Sequence, residues 1–152
     1  MAKKIIIADT SSLIALSNIG DLELLRKLHE EILITSQIAE EFGLTLPSWI
    51  KIEGIKDQKI FKLLKLELDA GESSAIALAL ENKESLLIID EKKGREIAKK
   101  MDIKITGILG LMLRAKELGL LKKIKPHLDS LDRAGFRMSS QIRVQILRRA
   151  GE

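Results

Sequence analysis

Residues 5–9 read Ile5-Ile6-Ile7-Ala8-Asp9, and residues 86–90 read Leu86-Leu87-Ile88-Ile89-Asp90. Each is an unbroken apolar run that ends on an aspartate. A strand with one wet face alternates apolar and polar residues, and these do not, so both faces are buried. Parallel strands covered by helices on either side have that pattern. Ile32-Leu33-Ile34 and Ile103-Lys104-Ile105 read as further short strands, and Ile50 to Glu53 as an edge strand or a loop.

Helical patterns fill the intervals. Leu22, Leu25 and Leu28 form one stripe; Ile60, Leu63, Leu64 and Leu68 form another. Ser36 is placed to cap a short helix to Phe42 that ends at Gly43. Glu72 to about Glu81 is apolar nearly all round, Glu91 to Met101 is amphipathic, and Ile108 to Leu118 stops at Gly119. From Lys122 on the chain is helical, with a break near Gly135. The alternation predicts a three-layer α/β/α fold with a central, mostly parallel sheet and a helical C-terminal extension. At 152 residues the length predicts a single domain, with a core over about residues 4–120 and the extension over 121–152.

Composition narrows the chemistry. There is no cysteine, which excludes disulfide frameworks, thiolate metal sites and cysteine nucleophiles. The two histidines, His29 and His127, lie far apart and read as surface helix residues. No GxGxxG, GxxxxGK[ST] or GxSxG segment occurs. No apolar run approaches the roughly 20 residues that a bilayer demands, and the N-terminal run stops too early for a secretory signal, so the expectation is a cytoplasmic protein with no membrane partner. The formal charge is +4. Residues 1–121 hold 18 basic and 19 acidic side chains, residues 122–152 hold 8 and 3, so the positive excess sits in the tail. That is the footprint of a polyanion partner or of a solvated terminal helix.

Chemistry is left to carboxylates, hydroxyls and basic groups. Asp9 and Asp90 each follow a buried strand, and ligands of open α/β sheets bind outside the carboxyl ends of the strands. Alternatively, each aspartate caps the helix after it. Glu72 starts an all-round apolar helix, so its carboxylate must emerge in a cleft or be paired. On the helix carrying Ile38 and Phe42, Glu41 lies about 80° from the centre of the buried face and Glu40 about 180°, so Glu41 borders the core.

The segments IIIADTSSLIALSNIG, ITSQIAEEF, LDAGESSAIALAL and LLIIDEKKGREIAKKMDIKITGILGLMLRAKELG, in this order, resemble the PIN-domain nucleases. The likeness is strongest to the VapC-toxin-like prokaryotic subgroup, and GFRMSSQIRVQIL resembles the tail of that subgroup as well. By that resemblance Asp9, Glu41, Glu72 and Asp90 are the four catalytic, metal-holding acids, Glu91 an auxiliary acid, and Ser11 a small polar residue beside the first. Thr35 stands where the subgroup often has proline, and Glu72 where many PIN domains have aspartate. The resemblance implies a PIN-like fold and a Mg2+-dependent endoribonuclease, the toxin of a toxin–antitoxin pair. It also implies a homodimer with two clefts along one RNA groove, silenced by a small antitoxin protein.

Elementary electrostatics leads to the same cofactor. Four converging carboxylates repel strongly unless some are protonated or a cation sits among them. An all-oxygen donor set selects Mg2+ or Mn2+, and one or two such ions activate a water for displacement at a phosphodiester. Lys92, Lys93 and Arg95, with Arg137 and Arg143 in the tail, would offset the repulsion between phosphate and acidic cleft. Aromatic residues are few, so RNA recognition would rest on charge and shape. A catalytically silent PIN-like module that binds RNA or protein is the alternative. A phosphoacceptor receiver domain fits less well, because Asp9 lacks an acidic neighbour and Lys104 lies inside its strand.

Overall fold

A computed structural model describes residues 5–29 and 31–152 of the chain. Residue 4, where the sequence places the start of the core, lies outside them. The strands are β1 (Ile5–Ala8), β2 (Ile32–Ile34), β3 (Ile50–Ile52), β4 (Ser85–Ile88) and β5 (Lys104–Thr106). They form one sheet in the order β3-β2-β1-β4-β5. Every pairing is parallel, with Ile6 opposite both Ile32 and Leu86, Leu33 opposite Lys51, and Leu87 opposite Ile105. Ile50–Ile52 is therefore an edge strand and not a loop, and β5 begins one residue later than its apolar pattern implies.

The helices are α1 (Thr10–Asn18), α2 (Glu23–Leu28), α3 (Ser36–Phe42), α4 (Gln58–Leu64), α5 (Ala70–Glu81), α6 (Lys92–Lys100), α7 (Ile108–Glu117), α8 (Lys125–Arg133) and α9 (Ser140–Arg149). They flank the sheet in a three-layer α/β/α arrangement. Ile6, Ile7, Ala8, Leu87, Ile88 and Ile89 are all 0% exposed, as two-sided burial of the central strands requires. In α5, Gly71 to Ala79 are buried without interruption, because this helix packs on β1, β4, α3 and α4 together.

Three local expectations need correcting. Thr35, not Ser36, caps α3: Thr35 keeps the extended backbone a cap needs, and its hydroxyl accepts the Ile38 N–H at 3.1 Å, while Ser36 is already helical. Leu63 is 64% exposed, so the buried face of α4 is carried by Phe61 and Leu64. His127 is half-buried, its Nδ1 hydrogen-bonded to the Asp21 carboxylate, not free on the surface.

The C-terminal helices join the same core, with Ile124, Leu128 and Leu131 at 0% exposure. The carboxylate of Glu152 fastens them. It accepts the Ile124 N–H at 2.8 Å, the Lys125 N–H at 3.2 Å and the Lys116 ammonium at 2.9 Å. Glu152 thus closes the open end of α8 and ties α9 to α7.

Candidate functional site

The sheet's direction of growth reverses between β1 and β4. From β1 the chain moves outward to β2 and β3, and from β4 it moves the other way to β5. A crevice opens at the carboxyl ends of strands at such a switch point. Asp9 and Asp90 stand there, at the ends of two paired central strands.

Asp9 occupies the cap position of α1 but makes no side-chain cap bond. It is 2% exposed; Oδ2 accepts the Ser11 hydroxyl at 3.3 Å, and Oδ1 has no hydrogen-bond partner. Burial pushes its carboxyl up to about 7; the Thr10 N–H and the Ser11 hydroxyl hold it down, while the charges of Asp69 and Glu41 add to the rise. Glu72, in the first turn of α5, is 7% exposed and its Oε2 is likewise unpartnered. Burial raises its carboxyl well above the ordinary range, helped by the neighbouring Asp69, Asp9 and Glu91 carboxyls. Two buried carboxyls with free oxygens, Glu72 feeling the charge of Asp9 and both feeling that of Asp69, form the centre of the site.

Glu41 leans over the start of α5 from α3. Its Oε1 accepts the Thr10 hydroxyl at 2.9 Å and lies 2.0 Å from where a Cβ on Gly71 would stand. The side chain is exposed, so Glu41 does not border the core as its helical angle implies; it reaches across the surface to Thr10, and its charge acts on Asp9. Glu40 is exposed and bonds to nothing in the site.

Asp90 is placed differently. Oδ2 accepts the Ser12 hydroxyl at 2.7 Å, and Oδ1 accepts the Ile108 N–H at 3.0 Å. It therefore satisfies the first turn of α7, at the end of the neighbouring strand β5, and does not cap α6. That cap is Glu91, whose carboxylate accepts the Gly94 N–H at 3.1 Å. Burial raises the Asp90 carboxyl, opposed by Ser12, Ile108 and Arg95.

The basic candidates separate. Lys93 pairs with Glu67 at 2.9 Å, and Arg143 is held between Asp129 and Asp132. Lys92 and Arg137 are exposed, and Arg95 donates to the Ile89 carbonyl at 2.7 Å beside Asp90.

Three residues in the site escape a reading of the sequence. Asp69 caps α5 by accepting the Glu72 N–H at 2.8 Å, and its charge acts on both buried acids. Its D-x-x-E spacing to Glu72 is a capping-box signal that could have located it. Thr10 and Ser12 carry no such signal, because their partners are 31 and 78 residues away.

The sequence profile of a family described as a PIN domain matches residues 5–152. The chain belongs to the PIN-domain family. No curated protein and no solved structure matches it. PIN domains are typically nucleases, acting on nucleic acids with divalent metal ions.

A PIN-domain metal can be tested against the donors present. The unpartnered Asp9 Oδ1 and Glu72 Oε2 are hard oxygen donors in a buried acidic pocket, which suits Mg2+ or Mn2+. Among the described residues, however, no three carboxylate or imidazole side chains are grouped closely enough to enclose an ion as they stand. Both oxygens of Asp90 are already engaged. The donors fit; the full shell requires side-chain movement.

Proposed function

We propose that this PIN domain is a Mg2+-dependent endoribonuclease that hydrolyses RNA phosphodiesters, with Asp9, Glu41, Glu72 and Asp90 as its catalytic acids. The observation that carries the reading is the pair of buried, unpartnered carboxylate oxygens on Asp9 and Glu72 at the switch point of the sheet. When bound, the ion supplies Lewis acidity toward water and the scissile phosphate. Asp9 and Glu72 hold it, and Glu41 and Asp90 complete the set. Ser11 fixes the Asp9 carboxyl, Thr10 fixes Glu41, and Ser12 with the Ile108 N–H fixes Asp90. Glu91 adds negative charge beside Glu72.

The finer biological role rests on the likeness to the VapC-toxin-like subgroup: a toxin that acts as a homodimer and is silenced by a small antitoxin. Cleavage of a labelled single-stranded RNA with Mg2+ or Mn2+, against EDTA, tests the chemistry. Asp9→Asn should abolish it, and undiminished cleavage by a pure Asp9→Asn preparation would refute the assignment. Light scattering of the chain tests the dimer.

One observation favours a second reading, a catalytically silent module that binds RNA or protein. Both oxygens of Asp90 accept structural hydrogen bonds, from Ser12 and Ile108, as those of a purely structural aspartate would. Calorimetric titration with Mn2+ separates the two. The nuclease binds the ion and releases protons, since its raised carboxyls must ionise; the silent module shows no heat at millimolar metal.

A further inference from the structure

A groove of about 580 Å3 runs between α7 and the turn joining α8 to α9, reaching Asp90 and Arg95. Leu109, Leu113, Met138 and Ile142 give it an apolar lining, and Ile142 stays 43% exposed. Arginines line it from four separate segments: Arg95 of α6, Arg114 of α7, Arg137 of the turn and Arg149 at the end of α9. Two acids also line it. Glu117 pairs with Arg114 at 3.3 Å, and Asp90 is bonded to Ser12 and Ile108. Among the described residues Arg137 and Arg149 have no carboxylate partner.

We propose that this groove is a track for the phosphates of single-stranded RNA, continuous with the acidic site at its Asp90 end. The inference rests on the nuclease reading and names where that substrate runs. Guanidinium forks without carboxylate partners bind phosphate bidentately. Arg114 is offset by Glu117 and Arg95 by Asp90, so the free charge comes from Arg137 and Arg149, on two separate segments, and an extended polyanion can meet both. The acidic pocket itself repels phosphate, so a strand that enters it needs positive charge close by, and the groove supplies this where it meets Asp90. Its apolar walls, with Phe136 as the one aromatic, leave room for bases without selecting among them.

The test uses the full chain in EDTA, which holds off cleavage, and a fluorescent oligouridylate of about 16 nucleotides. Binding is measured by anisotropy between about 50 and 200 mM KCl. Arg137→Gln with Arg149→Gln should weaken binding at least about fivefold and lower the slope of log K against log salt by about 1.4, near 0.7 for each phosphate that no longer meets an arginine. Arg133→Gln with Arg148→Gln removes the same charge from α8 and α9 outside the groove and should change affinity less than about twofold. Equal losses in the two double variants, or no loss in the first, overturn the proposal. So does a polyglutamate peptide that needs Arg137 and Arg149 while RNA does not, since the groove would then be a protein site. Metal-dependent cleavage by the unaltered chain is run alongside. Cleavage together with indifference of RNA to the groove variants sinks the groove alone. No cleavage and no RNA binding by the unaltered chain sinks both readings, and no cleavage with arginine-dependent binding leaves the groove standing without the nuclease.

Discussion

A methyl group on Gly71 would stand 2.0 Å from Glu41 Oε1 and 2.9 Å from Thr10 Oγ1. The glutamate tip can swing away and the Thr10 hydroxyl can change rotamer, and alanine suits a helix better than glycine, by up to about 1 kcal/mol in an interior and less in this first turn. Gly71→Ala should therefore leave the melting temperature level or slightly raised, while displacing Glu41 and lowering metal-dependent cleavage at least about tenfold. A parallel fall in stability and cleavage would show that Gly71 serves the fold and not the site. Asp9→Asn tests the same region from beneath. It removes a buried charge whose Oδ1 has no partner. Above pH 7 the metal-free variant should melt higher than the parent, and Mn2+ should no longer raise its melting point.

Thr35 joins the two helices that carry acids. Ser74 donates its hydroxyl to the Gly71 carbonyl at 2.8 Å, so the 2.7 Å contact between Thr35 and Ser74 has Thr35 as donor. Thr35 also accepts the Ile38 N–H. One fully buried hydroxyl thus caps α3 and ties it to α5, the packing that lays Glu41 over Gly71 at the start of α5. Thr35→Val keeps the shape and strands the buried Ile38 N–H, which should cost about 1–3 kcal/mol by urea denaturation and weaken Mn2+ binding as well. Unchanged metal affinity would confine Thr35 to capping. The position also shows what a pattern reading can and cannot do. A Thr-Ser pair before an amphipathic run announces a helix start, but which hydroxyl caps depends on the backbone angle where the chain leaves β2.

For the whole molecule, the acids set an unusual pH dependence. Asp9 moves from 3.8 in the unfolded chain to about 7 in the fold, so between those values the folded state keeps a proton the unfolded state has lost. Stability then falls as pH rises, by about 4 kcal/mol for Asp9 alone, and Glu72 and Asp90 act in the same sense. Glu152 acts oppositely. Its partial burial tends to raise its carboxyl, but the Ile124 and Lys125 N–H groups and Lys116 outweigh that and hold it at about 2. Its contribution is present above the ordinary value of 4.5 and is lost as pH falls toward 2. In EDTA the melting temperature should peak at about pH 4–5, and saturating Mn2+ should move the peak toward neutrality, because the bound ion replaces the protons. A metal-free melting point that climbs steadily to pH 8 would contradict the buried acidic centre.

Fold class could be read from the chain because two-sided burial needs unbroken apolar runs, and short β-branched runs of this kind alternating with helical patterns mark the central strands of a covered parallel sheet. Asp9 and Asp90 could be placed at strand ends for the same local reason; Glu41 and Glu40 are both exposed, and what separates them is the bond from Thr10, which helical angle does not encode. Pairings across long stretches of chain were out of reach. That Ser12 and the α7 terminus claim Asp90, that the charge of Asp69 acts on Asp9, and that Glu152 closes α8 are decided by which ends of the sheet and helices meet. Local sequence encodes how each segment hides its apolar face; the company a polar group keeps is set only after those faces have packed.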